Sequence, residues 1–322
     1  MKAIVQDTYG SPDVLELREI DKPVVGEGGV LVRVHAAGVD QGVWHLMAGV
    51  PYLMRIAGFG LRAPKNPVRG YDVAGRVEAV GENVSRFQPG DEVFGSCRGS
   101  FAEYACARVD RLATKPANLS FEQAAAVPIS GYAALQAVRD RGKVQAGQRV
   151  LIIGAGGGVG TFAVQLAKTF GAEVTGVCST TKTELVRSIG ADHVIDYTRE
   201  DFADGRSRYD VILDIAGNRS LSHLRRALAP EGTLVIVGGE EGGKWFGIGR
   251  QLRATALSLF VRQNLGTWIS TEREEDLETL RELLEAGKVT PVVDRAFPLS
   301  EVADAVRYLR EGRARGKVVI TV

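Results

Sequence analysis

Hydrophobic and polar positions change their period after the first third of the chain. In segment 31–38 the apolar Val32 and Val34 alternate with the polar Arg33 and His35, which is typical of a half-buried strand. Further strands of this kind are predicted at 73–81 and 91–96, and one short helix at 41–49. The beginning of the chain is therefore predicted to be an all-β region.

From Ser120 onward, predicted helices and strands take turns. A helix that begins after Ser120 is interrupted by Pro128, and the apolar run 149–154 is typical of a strand buried on both faces. An amphipathic helix at 159–171 follows it. Strands are also predicted at 172–178, 193–197, 209–217, 232–239, 267–270, 292–297 and 316–322, and helices at 181–190, 220–230, 273–287 and 300–312, the last with Ser300 as its cap. This alternation predicts an α/β fold with a doubly wound parallel sheet.

Composition narrows the class of protein. Among 322 residues, 40 Lys and Arg balance 39 Asp and Glu, so the net charge of +1 gives no reason to expect a nucleic acid or an anionic membrane as partner. Three cysteines without a CxxC pair predict no disulfide framework. We expect neither a signal peptide nor a transmembrane helix, and the simplest location is cytoplasmic.

The strongest motif is the glycine-rich segment 147–168, GQRVLIIGAGGGVGTFAVQLAK. Ala155, Gly157 and Gly160 hold the spacing of the dinucleotide fingerprint between an apolar strand and an amphipathic helix. Small residues let the backbone approach a pyrophosphate, and the helix N-terminus supplies free N–H groups. The segment therefore predicts dinucleotide binding.

This segment also resembles the signature of the zinc-independent, zeta-crystallin-like quinone oxidoreductases of the medium-chain dehydrogenase/reductase superfamily. The resemblance continues through MKAIVQDTYG at the N-terminus, GYDVAGRVEAVGENV in 70–95, AAAVPISGYAAL at 124–135 and RGKVVITV at 315–322. It covers essentially the whole chain.

The resemblance implies a GroES-like β-barrel domain from residues 1–119 and 298–322, and a Rossmann domain from residues 120–297. It implies that cofactor and substrate bind between the domains. It also implies a homodimer, for which 267–270 would be an edge strand of the sheet.

Zinc ligands of the related alcohol dehydrogenases are replaced in this chain. Where they carry Gly-His-Glu this chain has Gly-Tyr-Asp at 70–72, and Asp40 stands at the place of the catalytic cysteine. Cys97 alone cannot replace a four-cysteine zinc lobe. A metal held by the two aspartates with His35 or His45 stays an alternative, but we expect a protein without metal.

Cofactor choice is predicted from the end of the second Rossmann strand. An NAD-specific domain carries an acidic residue there, whereas this chain has hydroxyls and a cation, which suit the 2′-phosphate of NADPH. The resemblance assigns this phosphate to Ser179, Lys182 and Tyr197. The full predicted cofactor-binding set is Pro128, Gly131, Ala155, Gly157, Gly158, Val159, Gly160, Ser179, Lys182, Tyr197, Ala216, Gly238 and Lys317.

Three side chains are predicted to serve the reaction centre. Tyr52 and Tyr71 each offer a phenol that can donate a hydrogen bond or a proton. Asp40 stands where the resembling family usually carries Asn, and a carboxylate beside a developing oxyanion would hinder unless it is protonated or turned away.

Function is predicted as NADPH-dependent reduction of quinones or α,β-unsaturated carbonyls. The apolar segments 53–61 and 245–261 favour a small hydrophobic substrate over a sugar or a carboxylate. Ala133, at a place where the family often has Thr, removes one hydrogen bond to the cofactor. Two alternatives stay open, a non-catalytic NADPH-binding protein and an alcohol dehydrogenase of the same superfamily.

Overall fold

Buried apolar runs form most of the strands. The computed structural model describes residues 1–238 and 249–322 of the chain. In these ranges the strands are β1 (Lys2–Val5), β2 (Glu16–Glu19), β3 (Gly29–Val39), β4 (Asp72–Val80), β5 (Glu92–Ser96), β6 (Tyr104–Arg108), β7 (Leu112–Thr114), β8 (Arg149–Ile153), β9 (Glu173–Cys178), β10 (His193–Asp196), β11 (Tyr209–Asp214), β12 (Leu228–Ile236), β13 (Asn264–Thr267), β14 (Val293–Pro298) and β15 (Lys317–Thr321).

Helices connect these strands. They are α1 (Gln41–Ala48), α2 (Phe121–Ala125), α3 (Pro128–Gln136), α4 (Gly158–Thr169), α5 (Thr183–Ser188), α6 (Leu221–Ala227), α7 (Gly249–Ser258), α8 (Glu274–Glu285) and α9 (Val302–Arg310). In the described ranges, no helix is both long and apolar enough to cross a bilayer.

Contacts divide the chain into two units. The first unit comprises Met1–Tyr132, Glu272–Gly287 and Pro291–Val322, and the second comprises Ala133–Thr271 and Lys288–Thr290.

A parallel sheet of six strands forms the second unit. Its order is β10-β9-β8-β11-β12-β13, and each neighbouring pair is parallel. Numbered within the unit this is 3-2-1-4-5-6, the order of a Rossmann sheet, so the predicted doubly wound fold is confirmed. Leu151 of β8, Ile212 of β11 and Leu234 of β12 are fully buried, as a sheet covered on both faces requires.

A sheet of seven strands forms most of the first unit. Its long strand β3 pairs antiparallel with β4 along one edge, and with β6 and then β15 along the other. Val30, Val32 and Val34 of β3 are buried in its core together with Phe87 of the loop between β4 and β5. The predicted all-β region is confirmed, and the sheet also takes in the strand at the C-terminus.

An ion pair is buried inside the first unit. The Nζ atom of Lys317 on β15 lies 2.9 Å from Oδ2 of Asp72 on β4, and these side chains are 2% and 0% exposed. Gly38 of the intervening strand makes room for the pair, because a Cβ atom there would lie 2.4 Å from Asp72 Oδ2. The backbone N–H of Ile129 donates to Asp72 Oδ1 at 2.8 Å. One carboxylate thus links two strands to the first turn of α3.

Two predicted details at the C-terminal half are wrong. The strand expected at 267–270 lies earlier, at Asn264–Thr267, because Trp268 leaves the sheet and its indole N–H donates to Gln136 Oε1 at 3.1 Å. Ser300 does not cap a helix, since it lies in a short 3₁₀ turn and α9 begins two residues later.

The helix predicted at 220–230 is too long. It ends at Ala227, and β12 begins at the next residue, because the residue before Pro230 is disfavoured in helical conformation. Gly239, the last residue of the strand predicted at 232–239, lies outside the described residues.

We expect the variant Lys317→Met to lower the free energy of unfolding by about 3–5 kcal/mol, because it leaves a buried carboxylate without its cation. Burial raises the pKa of Asp72 to about 6, so this group takes up its proton more readily in the folded state. The contribution of Asp72 to the free energy of unfolding therefore falls as the pH rises from about 4 to about 6. The decrease in this free energy caused by Lys317→Met should accordingly be larger at pH 8 than at pH 5. Chemical unfolding at both pH values measures this.

The double variant Asp72→Asn/Lys317→Met serves as the control. It should lose less stability than the sum of the two single variants, because no buried charge is left alone. Strictly additive losses would show that the two side chains do not interact.

Candidate functional site

The glycine loop of the second unit leads directly from β8 into α4. Gly154 has φ +90°, in the left-handed region that favours glycine. A Cβ atom on Gly160 would lie 2.1 Å from the Gly154 carbonyl oxygen, so only glycine permits this close approach of helix to strand. Gly157 stands at the N-cap of α4, and the N–H groups of Gly158 and Val159 follow it, without partners inside the helix. The loop is shaped to bind an anion at the helix N-terminus.

Small residues also form the neighbouring strand ends. A Cβ atom on Gly154 would lie 3.1 Å from the backbone nitrogen of Ala216, after β11. A Cβ atom on Gly238, after β12, would lie 1.9 Å from the carbonyl oxygen of Ile215. Larger side chains would therefore fill the space above the carboxyl ends of these strands, which is where ligands of open parallel sheets bind.

Ser179 and Lys182 lie at the carboxyl end of β9. The Ser179 hydroxyl is 3.4 Å from that of Thr181. The stem of Lys182 lies over the glycine loop, because a Cβ atom on Gly156 would be 2.9 Å from Lys182 Cβ and Cδ. The predicted cation is thus brought beside the loop, and its backbone N–H donates to the Ser179 carbonyl oxygen at 2.9 Å.

Tyr197 follows β10 and lies beside a cation that the sequence motifs do not predict. The guanidinium of Arg219 lies 5.6 Å from the centroid of the Tyr197 ring. Its Nε atom is buried and, within the described ranges, has no hydrogen-bond partner. The nearby carboxylate of Asp196 accepts hydrogen bonds from Thr180 and Thr198 instead, which lower its pKa.

A buried ion pair fixes the segment that carries Arg219. Arg250 Nη2 lies 2.6 Å from Oδ2 of Asp214, which is fully buried, and Arg250 Nη1 donates to the Arg219 carbonyl oxygen at 2.8 Å. Burial raises the pKa of Asp214. No spacing rule relates Arg219 to the fingerprint, so only the fold could reveal it.

Asp40 of the first unit caps a helix. It is the N-cap of α1, and its Oδ1 accepts the Val43 N–H at 3.1 Å. Its other oxygen, Oδ2, is buried and has no hydrogen-bond partner among the described residues. An aspartate directly before a helix is a common cap, so this contact could have been predicted from the sequence.

The two predicted phenols of the first unit differ in their surroundings. Tyr71 lies in the wall of a cavity of about 240 Å³, and burial raises the pKa of its phenol. The ring of Tyr52 lies 4.7 Å from the Arg55 guanidinium, and this tyrosine is not among the residues that line the cavity. Of the two, Tyr71 is therefore the better placed to meet a small molecule.

Three residues of the predicted cofactor set belong to the first unit. Pro128 opens α3, and Gly131 allows α3 to approach α8, since a Cβ atom there would lie 2.8 Å from Leu280 Cδ1. Lys317 is engaged with the carboxylate of Asp72.

The segments expected to form an apolar cleft are only partly described. In 53–61 Leu53, Ile56 and Phe59 are exposed. Of 245–261, the first four residues lie outside the described ranges.

The glycine loop and the cations near it fit a dinucleotide that carries phosphate groups. A Cβ atom at Gly160 would obstruct the loop, and the Nε atom of Arg219, which has no hydrogen-bond partner in the described ranges, belongs to the side chain beside Tyr197.

The residues at the positions of the zinc ligands in related dehydrogenases do not suit zinc. Burial raises the pKa of the Tyr71 phenol, whereas a ligand must lose its proton, and Asp72 is already engaged by Lys317.

Histidines add no zinc ligand to this arrangement. His35 stacks on the Phe121 ring at 4.3 Å, and His45 Nδ1 lies 2.9 Å from the Val50 carbonyl oxygen. No group of three His, Cys, Asp or Glu residues in the described part of the chain could hold a metal ion.

Comparison with known proteins agrees with this fold. Residues 26–117 match the family described as alcohol dehydrogenase GroES-like domain, and residues 189–320 match the family described as zinc-binding dehydrogenase. The chain is 37% identical to the chloroplastic NADPH-dependent alkenal/one oxidoreductase of Arabidopsis thaliana and 36% identical to the 2-methylene-furan-3-one reductase of Solanum lycopersicum. Both alignments cover 99% of this chain and 79% of the relative.

A solved structure gives the same result. The quinone oxidoreductase of Coxiella burnetii superposes with a TM-score of 0.87 at 29% identity, over 100% of this chain and 99% of that one. Sequence identity that extends over nearly the whole chain, together with the two matched domains, shows the family. The chain belongs to the medium-chain dehydrogenase/reductase superfamily, in the zeta-crystallin-like family of quinone and alkenal/one oxidoreductases.

Proposed function

We propose that this protein is an NADPH-dependent oxidoreductase that reduces quinones or α,β-unsaturated carbonyl compounds. The observation that carries the proposal is the position of Lys182, whose stem lies over the glycine loop of a Rossmann sheet beside Ser179. Relatives named for NADPH-dependent alkenal/one reduction and for quinone reduction support the same reaction.

Residues of the second unit would bind the cofactor. The first N–H groups of α4 would receive the pyrophosphate, and Ser179, Lys182 and Arg219 would hold the 2′-phosphate, with Tyr197 beside them. Bound NADPH would supply a hydride to the electrophilic carbon of the substrate.

The protein's own contribution to the chemistry is a hydrogen-bond donor. Reduction leaves negative charge on the carbonyl oxygen, which needs stabilisation and then a proton. Because burial raises the pKa of Tyr71, its phenol keeps its proton at neutral pH and can donate. The carboxylate of Asp40 is held at the start of α1 through Oδ1. We assign the donor role to Tyr71.

We further propose that two copies of the chain associate through the edge of the parallel sheet. Among the described residues β13 is an edge strand of the sheet, and three apolar side chains near it are 80–83% exposed, namely Leu259, Phe260 and Ile269. Exposed apolar groups beside an unpaired strand edge favour association. The cytoplasmic location stays a prediction, and relatives with chloroplastic and mitochondrial names have similar sequences.

We expect Lys182→Ala to weaken NADPH binding by about 10–150-fold and to spare NADH, because one charge-assisted hydrogen bond to the 2′-phosphate is lost. Cofactor titration by fluorescence measures both affinities. The matched control is Lys168→Ala, which removes a lysine at the opposite end of α4 that pairs with Asp192 at 2.7 Å. Equal losses for both cofactors would show that Lys182 does not bind the phosphate.

We expect Tyr71→Phe to reduce the turnover of an enone by about 10²–10⁴-fold with little change in NADPH affinity, because the ring is kept and the donor is lost. Quinones should be less sensitive, since the reduced ring stabilises its own oxygen. Tyr52→Phe is the control and should change turnover less. Wild-type rates on both substrates in the Tyr71 variant would exclude this phenol as the donor.

Light scattering at micromolar concentration should give the mass of a dimer. The double variant Phe260→Glu/Ile269→Lys should shift it toward the monomer by placing charge at the apolar edge. Val24→Lys, a change at a 92% exposed position of the first unit, should leave the mass unchanged. A monomeric wild-type protein would contradict the proposal.

A further inference from the structure

The cavity beside Tyr71 carries more positive charge than a neutral substrate requires. It lies within the first unit and has a volume of about 240 Å³. The polar side chains in its wall are those of Tyr9, Lys65, Asn66, Arg69, Tyr71 and Arg98. Three of these are cations, and none of the lining residues that the structure describes carries a carboxylate.

Arg69 is the informative member of this set. It is 7% exposed, and its Nε atom is buried without a hydrogen-bond partner in the described ranges. Its side chain also forms no ion pair with any residue that the structure describes. Since a guanidinium stays charged in proteins, it cannot avoid the cost of burial by losing its proton. A buried charge of this kind normally has a partner of opposite sign.

The neighbouring groups cannot supply that partner. The phenols of Tyr9 and Tyr71 are the groups that interact electrostatically with Arg69, and burial raises the pKa of both, so both are neutral. The Tyr9 hydroxyl also donates to the carbonyl oxygen of Gly60 at 2.7 Å. Among the described residues, no carboxylate pairs with Arg69, and its guanidinium lies in the cavity wall, where an anion that enters the cavity could reach it.

Two exposed cations extend the positive field toward the solvent. Arg98 and Arg69 both act on the Tyr71 phenol, and so do the carboxylates of Glu272 and Asp40. The two arginines line the cavity, whereas the two carboxylates do not. Lys65 is exposed in the same wall. Cations at the mouth of a cavity raise the local concentration of anions.

The size of the cavity suits part of a small molecule. At about 30 Å³ for each water molecule, it has room for roughly eight. Its apolar wall, which includes Val43, Leu46 and Phe59, can cover a short carbon chain. An anionic group at Arg69 would then be joined through a few carbon atoms to the part of the molecule near Tyr71.

We propose that the substrate carries an anionic group, a carboxylate or a sulfonate or phosphate in its place, and that Arg69 binds it with Arg98 and Lys65 at the mouth. The inference rests on the proposed function for the reacting end of the molecule. It replaces the expectation of a purely hydrophobic substrate with an enone or quinone that bears an acidic substituent.

The test uses a matched pair of enones, 4-oxopent-2-enoate and its methyl ester, with NADPH at pH 7, where the free carboxyl is ionised. The wild-type protein should have the higher kcat/KM for the acid. In Arg69→Met the ratio of acid to ester should fall by about 10–150-fold, the value of one charge-assisted hydrogen bond. Arg69→Lys should restore part of it.

Two variants serve as controls. Arg62→Met removes an exposed arginine of the same segment that does not line the cavity, and it should leave the ratio unchanged. If Arg69→Met does not fold, Arg98→Met tests the same charge at an exposed position and should lower the ratio in the same direction. A wild-type ratio near one that no variant changes would overturn the anion site while leaving enone reduction intact.

A binding measurement separates this proposal from the proposed function. The saturated acid 4-oxopentanoate cannot accept a hydride at a conjugated double bond, so its effect does not depend on turnover. It should raise the thermal unfolding temperature of the wild-type protein and not that of Arg69→Met. If neither enone nor quinone is turned over but this shift is seen, the site stands and the proposed reaction fails. If the acid shifts neither protein, the site is wrong.

Discussion

The buried carboxylate of Asp72 is the contact on which the first unit depends. It accepts hydrogen bonds from the Lys317 ammonium and from the Ile129 N–H. These bonds connect the start of β4 to β15 and to the first turn of α3. Pro128 has no N–H of its own, and the next N–H in the helix is therefore the one directed at the carboxylate. A glycine at position 38 is required because the carboxylate lies where its side chain would be. Residues far apart in sequence are held together by one charged pair.

Most helices and strands could be predicted, because apolar residues recur at regular spacing over long segments of this chain. The segment 147–168 carried its strand, loop and helix in one motif, and the structure has all three. The strand at 264–267 was missed by three residues since its sequence, Asn-Leu-Gly-Thr, has weak strand propensity, while the aromatic Trp268 next to it is strongly typical of strands. Strand propensity favoured residues 267–270, whereas pairing with β12 places the strand at residues 264–267.

The candidate sites were predictable only where a motif fixed the spacing. Ser179 and Lys182 follow the second strand of the fingerprint, so their position near the glycine loop could be inferred. Arg69 and Arg219 have no such relation to a motif. An arginine between Val68 and Gly70 looks like any exposed surface residue in the sequence, and only the fold shows that it shares a cavity wall with residues 9 and 98 from other parts of the chain.

The two units create positive charge for ligands in physically different ways. In the second unit much of it comes from backbone N–H groups at the start of α4, which need close approach and therefore glycine rather than a charged side chain. In the first unit it comes from the Arg69 guanidinium, which lines a cavity and has no counter-ion among the described residues. Asp72 and Lys317 show that this same unit can also pair a buried charge with an internal counter-ion. Leaving Arg69 unpaired costs stability, and such a cost is compensated when a bound anion completes the pair. Within one unit, Lys317 has an internal counter-ion and holds two strands together, whereas Arg69 has none among the described residues and is the cation at which we propose that an anionic substrate binds.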